Sequence, residues 1–146
     1  MKIEELIQAK FKDDYNKAIV NVRYTSNWIG NFYNHQLLEF DITLPQFNIL
    51  RILRGAKGKL SVKVVKERML EKSPNTTRLI DKLIDKELVE RRRCESDRRV
   101  VYISIAEKGL KVLSEIDQVF DDQALNGNLT KEEAKSLSDL LDKLRG

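Results

Sequence analysis

One cysteine, one histidine, one tryptophan and two prolines stand among the 146 residues of this chain. The lone thiol, Cys94, excludes an intramolecular disulfide framework and fits a reducing compartment such as the cytoplasm. With His35 as the sole imidazole, a zinc site of clustered His and Cys is excluded as well, and no metal or other cofactor is expected. There is no glycine-rich phosphate loop and no paired nucleophile and base, so an enzyme is not expected. No apolar run approaches the roughly 18 residues of a membrane span. The opening MKIEELIQAK carries acids early and lacks an apolar stretch ahead of small residues, so no secretory signal is expected. What is present is 41% hydrophobic and 34% charged, a globular balance able to bury one core without disulfide or metal.

The net charge of +4 is unevenly spread. Residues 1–50 hold five Lys/Arg against six Asp/Glu, and residues 104–146 hold six against nine. Residues 51–103 hold sixteen against eight. A basic middle between mildly acidic ends is the footprint of a fold with one face turned to phosphate.

Periodicity divides the chain into helices and one hairpin. Ile3, Leu6 and Ile7 form a first turn or two, and apolar residues from Phe11 to Leu37 continue at helical spacing. A helix over 12–38 would run about 40 Å at ~1.5 Å per residue, longer than a small core requires, and surplus of that kind serves a partner chain. Thr43 and Pro45 open a helix with Phe47, Ile49, Leu50, Ile52 and Leu53 on its apolar face, broken by RGAKGKL. Ser61 caps a short helix from Val62 to Leu70 whose Val62, Val65, Met69 and Leu70 point inward. Ser73 and Pro74 start the next helix, with the stripe Thr76, Leu79, Ile80, Leu83, Ile84 and Leu88 opposite a polar face. Two short helices so joined make a helix-turn-helix unit.

VERRRCESDRRVVYISI then loses helical period. Val89 to Arg91 begin an extended run, Glu95-Ser96-Asp97 is turn-like, and Val100 to Ile105 are β-forming. An arginine-tipped hairpin placed there is a wing. Helix resumes at Glu107, NGN at 126–128 turns, and Thr130 with Glu133 forms a capping box before Leu137, Leu140, Leu141 and Leu144. That leucine seam on a charged helix demands burial.

In this order of elements LPQFNILRIL, SPNTTRLIDKLIDKELVERRR and ESDRRVVYISIAEKG resemble the MarR family of bacterial transcriptional regulators, over nearly the whole chain and most specifically from about Leu44 to Gly109. Asp97 and Arg99 fall at the spacing of the family's wing motif. The chain departs from the family at Glu87, where glycine is frequent, and at Ala106, where threonine commonly precedes the helix, with Ser104 as the candidate substitute cap. The resemblance implies a mainly α fold with a small β-hairpin wing, a single MarR-like domain over 1–146. Within it a winged helix-turn-helix over 41–105 lies between dimerisation helices over 1–40 and 106–146.

Chemistry gives the named residues their roles. A recognition helix lays its first turns in the major groove, where Ser73, Asn75, Thr76 and Thr77 offer short polar groups and Arg78 can fork onto guanine. Lys82, one turn on, reaches phosphate. Arg98 and Arg99 suit the negative potential of a minor groove. Asp97 repels phosphate, so its role is to orient a wing arginine. Ile7, Phe11, Leu137, Leu140, Leu141 and Leu144 are the dimer contacts, and a two-fold dimer calls for a palindromic operator in double-stranded DNA. Trp28, Phe32, Tyr33, His35 and Phe47 would line a cleft for a small aromatic or phenolic effector of the kind family members bind. Cys94 lies between Arg93 and Glu95, and neighbouring arginines would lower its pKa. The expected protein is a homodimeric repressor released by an effector. The alternative is a winged-helix interaction module that binds DNA without sequence preference.

Overall fold

The computed structural model describes residues 1–72, 74–120, 122–127 and 129–146. Among these the order is α1 (Ile3–Ile7), α2 (Asp14–Leu37), a 3-10 turn (Leu38–Phe40), α3 (Leu44–Ala56), β1 (Leu60–Ser61), α4 (Val62–Arg68), α5 (Thr76–Asp85), β2 (Val89–Arg93), β3 (Val101–Ile105), α6 (Glu107–Val119), α7 (Asp122–Asn126) and α8 (Lys131–Arg145). None of the described helices is long and apolar enough to cross a membrane.

Side-chain caps start four of the helices, α2, α3, α4 and α8, by accepting amides that have no intrahelical partner. Asp13 accepts from the Asn16 amide at 2.7 Å and begins the 24-residue α2. Thr43 and Gln46 cap reciprocally, Gln46 N donating to Thr43 Oγ1 at 3.4 Å and Thr43 N to Gln46 Oε1 at 3.0 Å, with Pro45 in the first turn. Ser61 accepts from Val64 N, and Thr130 with Glu133 repeats the reciprocal box ahead of α8. Ala106 is the cap residue of α6, so Ser104, inside β3, does not take that part.

The strands form one antiparallel sheet in the order β1-β3-β2, with Leu60 opposite Ile103 and Arg91 also opposite Ile103. Because side chains alternate along a strand, Val89, Arg91, Ile103 and Ile105 share one face and Arg92, Tyr102 and Ser104 the other. The first face covers a core of Phe47, Ile49, Leu50 and Leu53 from α3, Val65 and Met69, Ile80 and Leu83 from α5, and Leu113 and Ile116 from α6. Each of these contributes roughly 1.5–3 kcal/mol on burial, the dominant favourable part of folding.

Two departures from the sequence reading lie between α4 and α5. Helix α4 stops at Arg68, and Met69 turns extended with ψ of 134°. Extended backbone sends neighbouring side chains to opposite sides, so Met69 is buried while Leu70 is 85% exposed rather than inward. Helix α5 starts at Thr76 instead of Pro74, with Pro74 and Asn75 in the preceding turn. Ser73 lies outside the described residues.

The end of α5 locks it to the sheet. Glu87 N donates to Ile84 O and Leu88 N to Leu83 O, both at 2.9 Å, closing a Schellman turn over buried Leu83 and Leu88. Glu87 takes the left-handed φ of 62° that glycine favours, so the helix closes as it would with the family's glycine, at a conformational cost. The Leu88 carbonyl then accepts the Ala106 amide at 2.9 Å. A Cβ on Gly109 would meet that same carbonyl oxygen at 2.3 Å, so the glycine of AEKG is there for space.

Candidate nucleic-acid interface

Helix α5 presents its polar face beside the wing. Ile80 and Leu83 fix its inner side, and Thr77, Arg78 and Lys82 stand exposed. Thr77 and Asp81 form one i,i+4 row, Arg78 and Lys82 the next. Asn75 is exposed immediately before the helix. Thr76 is not available to DNA: at 1% exposure it belongs to the core side of the helix, because its position continues the stripe of Ile80 and Leu83.

The Thr77 row faces a groove whose other wall is the hairpin, with Val62, Lys63, Arg91, Arg99 and Val101 in its lining. At its base Arg91 of β2 donates to Asp81 of α5, tying helix to wing. The apolar stripe of α5 leaves Asp81 on the polar face without choosing its partner. An acid in the middle of a strongly basic stretch was the available signal that a nearby arginine would claim it.

At the wing tip Cys94 N donates to Val100 O and Val100 N to Asp97 O, both at 3.0 Å. The Asp97 carboxylate accepts three bonds from Arg99: backbone N at 3.0 Å, Nε at 3.1 Å and Nη2 at 3.3 Å. The Arg99 side chain and amide hold the Asp97 carboxyl below its ordinary pKa. The rest of the Arg99 side chain is open to solvent, as is Arg98. Cys94 Sγ sits 3.0 Å from Ser96 Oγ, and its thiol is lowered first by that hydroxyl, then by the amides of Asp97 and Ser96, with the Asp97 charge opposing. The neighbouring arginines are not the cause.

The five aromatic and histidine residues expected to line one cleft do not converge. Tyr33 and Phe47 pack with Phe120, a residue outside the expected cleft, at centroid distances of 5.3–6.4 Å, and Phe32 meets Tyr33 edge-on at 6.1 Å. Trp28 instead lines a groove between α1 and α2 with Ile3, Lys17 and Tyr24, and His35 is exposed. On α2 the helical rotation carries Trp28 and His35 to other sides than Tyr33. Of the expected dimer contacts, Ile7, Leu137, Leu140 and Leu144 are exposed in the single chain, while Phe11 and Leu141 are half-buried.

Comparison with known proteins gives the same frame. A MarR family model matches residues 42–101. The HTH-type transcriptional regulator MgrA of Staphylococcus aureus is 31% identical over 130 residues, 89% of this chain and 83% of the relative. MhqR of Bacillus subtilis, likewise an HTH-type transcriptional regulator, is 28% identical over 77% of this chain and 79% of its own. Wild-type MarR from E. coli in its apo form superposes with a TM-score of 0.67 at 28% identity, covering 84% of this chain and 92% of that one. A cysteine mutant of the same protein, complexed with operator DNA, has a similar fold at TM-score 0.82 and 24% identity, over 93% and 99% of the two chains.

Proposed function

This chain belongs to the MarR family of winged-helix transcriptional regulators, and from that premise we propose that it is a homodimeric, sequence-specific repressor of a palindromic operator, released by a small-molecule effector. The observation that carries the DNA reading is one continuous surface. Thr77, Arg78 and Lys82 of α5 lie exposed beside a wing whose Arg99 is held by Asp97. In this reading Arg78 reads a base edge, Lys82 anchors phosphate, and Arg98 and Arg99 enter the minor groove, with Asn75 and Thr77 as short polar contacts. Residues 41–105 carry these contacts, while 1–40 and 106–146 pair two copies and set the spacing of their recognition helices. The exposed leucines of α8 and the largely uncovered apolar residues of α2 support that pairing.

For the effector, the Tyr33, Phe47 and Phe120 rings bridge α2, α3 and the end of α6, and Phe32 edges onto them. A flat aromatic ligand would compete for those ring faces. To lower DNA affinity it must bind the incompetent spacing of the two recognition helices better than the competent one.

Selection of bound duplexes from a random pool tests the central reading. A recovered palindrome, bound at least roughly 1000-fold tighter than scrambled DNA at one salt concentration, supports it. Salt-dependent binding without a recovered sequence would favour the winged-helix interaction module instead.

A further inference from the structure

Lys86 is the C-cap of α5, a place where lysine ordinarily serves the dipole or the last carbonyls of its own helix. Here its ammonium leaves the helix. Lys86 Nζ donates to the backbone carbonyl of Asp41, forty-five residues earlier in the chain, and stands 3.4 Å from the Asp41 carboxylate. About two-thirds of the Lys86 side chain is covered, whereas the Asp41 carboxylate lies almost wholly in solvent. Asp41 ends the 3-10 turn between α2 and α3, left-handed at φ of 52°, with its amide donating to Leu38 O at 3.3 Å. Among the described residues this is the one ion pair that joins α5 or its cap to residues 1–43.

Two further directed contacts hold the same half of α5. Asp81 accepts from Arg91, which joins the helix to the wing. Just past the helix the Leu88 carbonyl accepts the Ala106 amide at 2.9 Å, with Gly109 packed against that carbonyl at the start of α6. This junction is a pivot, since one backbone hydrogen bond fixes a point and leaves rotation about it. Apolar packing opposes separation but is non-directional, whereas a hydrogen bond has preferred angles. Lys86 on Asp41 supplies a second directed point on the α2 side, and two points fix an angle. The Glu87–Lys108 pair, 3.9 Å apart and exposed on both sides, adds little. Thr77 and Arg78 lie at the opposite end of this ten-residue helix, about 15 Å from the pivot at ~1.5 Å per residue. A rotation of about 6–7° in each of two copies, directed along the DNA axis, would change the separation of those ends by about 3.4 Å, one base-pair step.

We infer that Lys86 is a positioning residue that sets the half-site spacing of the operator, by clasping the Asp41 carbonyl and so fixing the angle of α5 against the end of α2. The inference rests on the function proposed above, in which α5 enters the major groove and residues 1–40 and 106–146 pair two copies. Lys86 reads no base, and its removal leaves Arg78 and the wing arginines in place. What it governs is discrimination between correctly spaced half-sites and the same half-sites one base pair nearer or farther. The anchor is the carbonyl, because an ion pair with so exposed a carboxylate contributes little.

The test compares the full-length wild type with Lys86→Met and Asp41→Asn. Methionine keeps an unbranched apolar stem and similar helix propensity while removing the ammonium. Affinity is measured at one salt concentration for the duplex recovered by selection, for versions with the half-sites one base pair closer or farther, and for a duplex with a single half-site. Wild type should lose about tenfold on either change of spacing, as for one mismatched base pair, and Lys86→Met about threefold or less. Affinity for the single half-site should be the same in both. Asp41→Asn keeps the carbonyl and should keep the wild-type penalty. An unchanged spacing penalty in Lys86→Met overturns the inference, and a fall in single-half-site affinity beside it would make Lys86 a stabilising residue only. A penalty lost in Asp41→Asn as well overturns the carbonyl as the anchor. If wild type prefers its duplex but tolerates every spacing, the inference falls and the repressor reading stands. If wild type prefers no duplex, both fall.

Discussion

Between Leu37 and Ile116 the chain buries a continuous apolar core, closed by α3, α4, α5, the sheet and α6. Outside that span only Ile3 is buried among the described apolar residues, and many others are left uncovered in the single chain. Helix α2 buries only Leu37 of its 24 residues, and α8 buries none. Ile19, Val22, Trp28, Leu137, Leu140 and Leu144 all keep more than a third of their surface in solvent. One region is finished within the single chain, and the other leaves its apolar residues uncovered there. The core of the first is completed by Leu37 of α2 and by Leu113 and Ile116 of α6, whereas in the proposed dimer a second copy would cover the apolar residues of α2 and α8. In the proposed dimer such a division would let the spacing of two DNA-reading units change without disturbing either unit, because the contacts between copies would not be those that hold the core.

The largest expected effect comes from attacking the unfinished region. Leu137→Asp combined with Leu140→Asp places charge in the seam that two copies would bury. Sedimentation should fall from twice 17.0 kDa to a single chain. Operator affinity should drop by orders of magnitude, because two half-sites are then bound independently. The melting of the winged-helix region itself should be retained. A variant that stays dimeric would relocate the interface to other exposed residues, such as those of α2.

Two glycines sharpen the contrast. A Cβ at Gly109 would lie 2.3 Å from Leu88 O and 2.8 Å from Ile105 Cγ1, inside the finished region. Gly109→Ala should cost about 1–3 kcal/mol in urea denaturation, as overpacking of a tight junction does. A Cβ at Gly30 meets nothing within 4 Å in the single chain. If that helix face is free in the dimer as well, Gly30→Ala should stabilise by up to about 1 kcal/mol through helix propensity. Destabilisation would instead reveal a partner backbone lying close against α2.

How much of this was legible in advance depended on whether a residue's neighbours were near in sequence. The caps at Thr43, Ser61 and Thr130 were readable because cap and amide lie within three residues. The hairpin was readable because β-branched residues cluster at Val100 to Ile105. Strand β1 was not, since two residues carry no period and are defined only by pairing with Tyr102 and Ile103. Leu70 was misread because helical periodicity was extended past the residue where the backbone turns extended. Thr76 was ambiguous between hydroxyl chemistry and its place on the apolar stripe, and the stripe won. The Asp81–Arg91 tie and the place of Phe120 among the rings are long-range contacts, which composition alone does not position.

The wing tip allows a finer test, since the Arg99 side chain is held there by one local acid, Asp97, and not by the core. Asp97→Asn removes the acceptor charge that positions Arg99, while making the surface more positive. Simple electrostatics predicts tighter binding. Ordering Arg99 on DNA would then cost about 0.5–1.5 kcal/mol, so specific binding should weaken while thermal stability stays unchanged. The effect should be non-additive with Arg99→Ala. The pH sign follows from the lowered Asp97 pKa: the contact is fully present above the ordinary carboxylate value and is lost as pH falls through the lowered one. Binding measured from about pH 6 to 8 should show no dependence traceable to Asp97.

The smallest effect tests whether the finished region still carries avoidable strain. Gly127, before α8, already holds its left-handed φ of 57° with a glycine, whereas the junction of α5 with the sheet asks the same of Glu87 at 62°. Replacing Glu87 with glycine removes a Cβ–carbonyl crowding of roughly 1 kcal/mol. Against that gain, glycine has more freedom to lose on folding, an entropic cost of up to about 1 kcal/mol at ordinary positions. The pair with Lys108 at 3.9 Å is solvent-exposed on both sides and contributes little. At a left-handed position the steric relief outweighs the entropy, so Glu87→Gly should raise stability by about 0.5 kcal/mol in urea denaturation, with the dimer and the operator preference unaltered. A loss of stability would mean that Glu87 contributes something beyond its backbone angle, and the Lys108 contact would be the first to remove, by Lys108→Ala in both backgrounds.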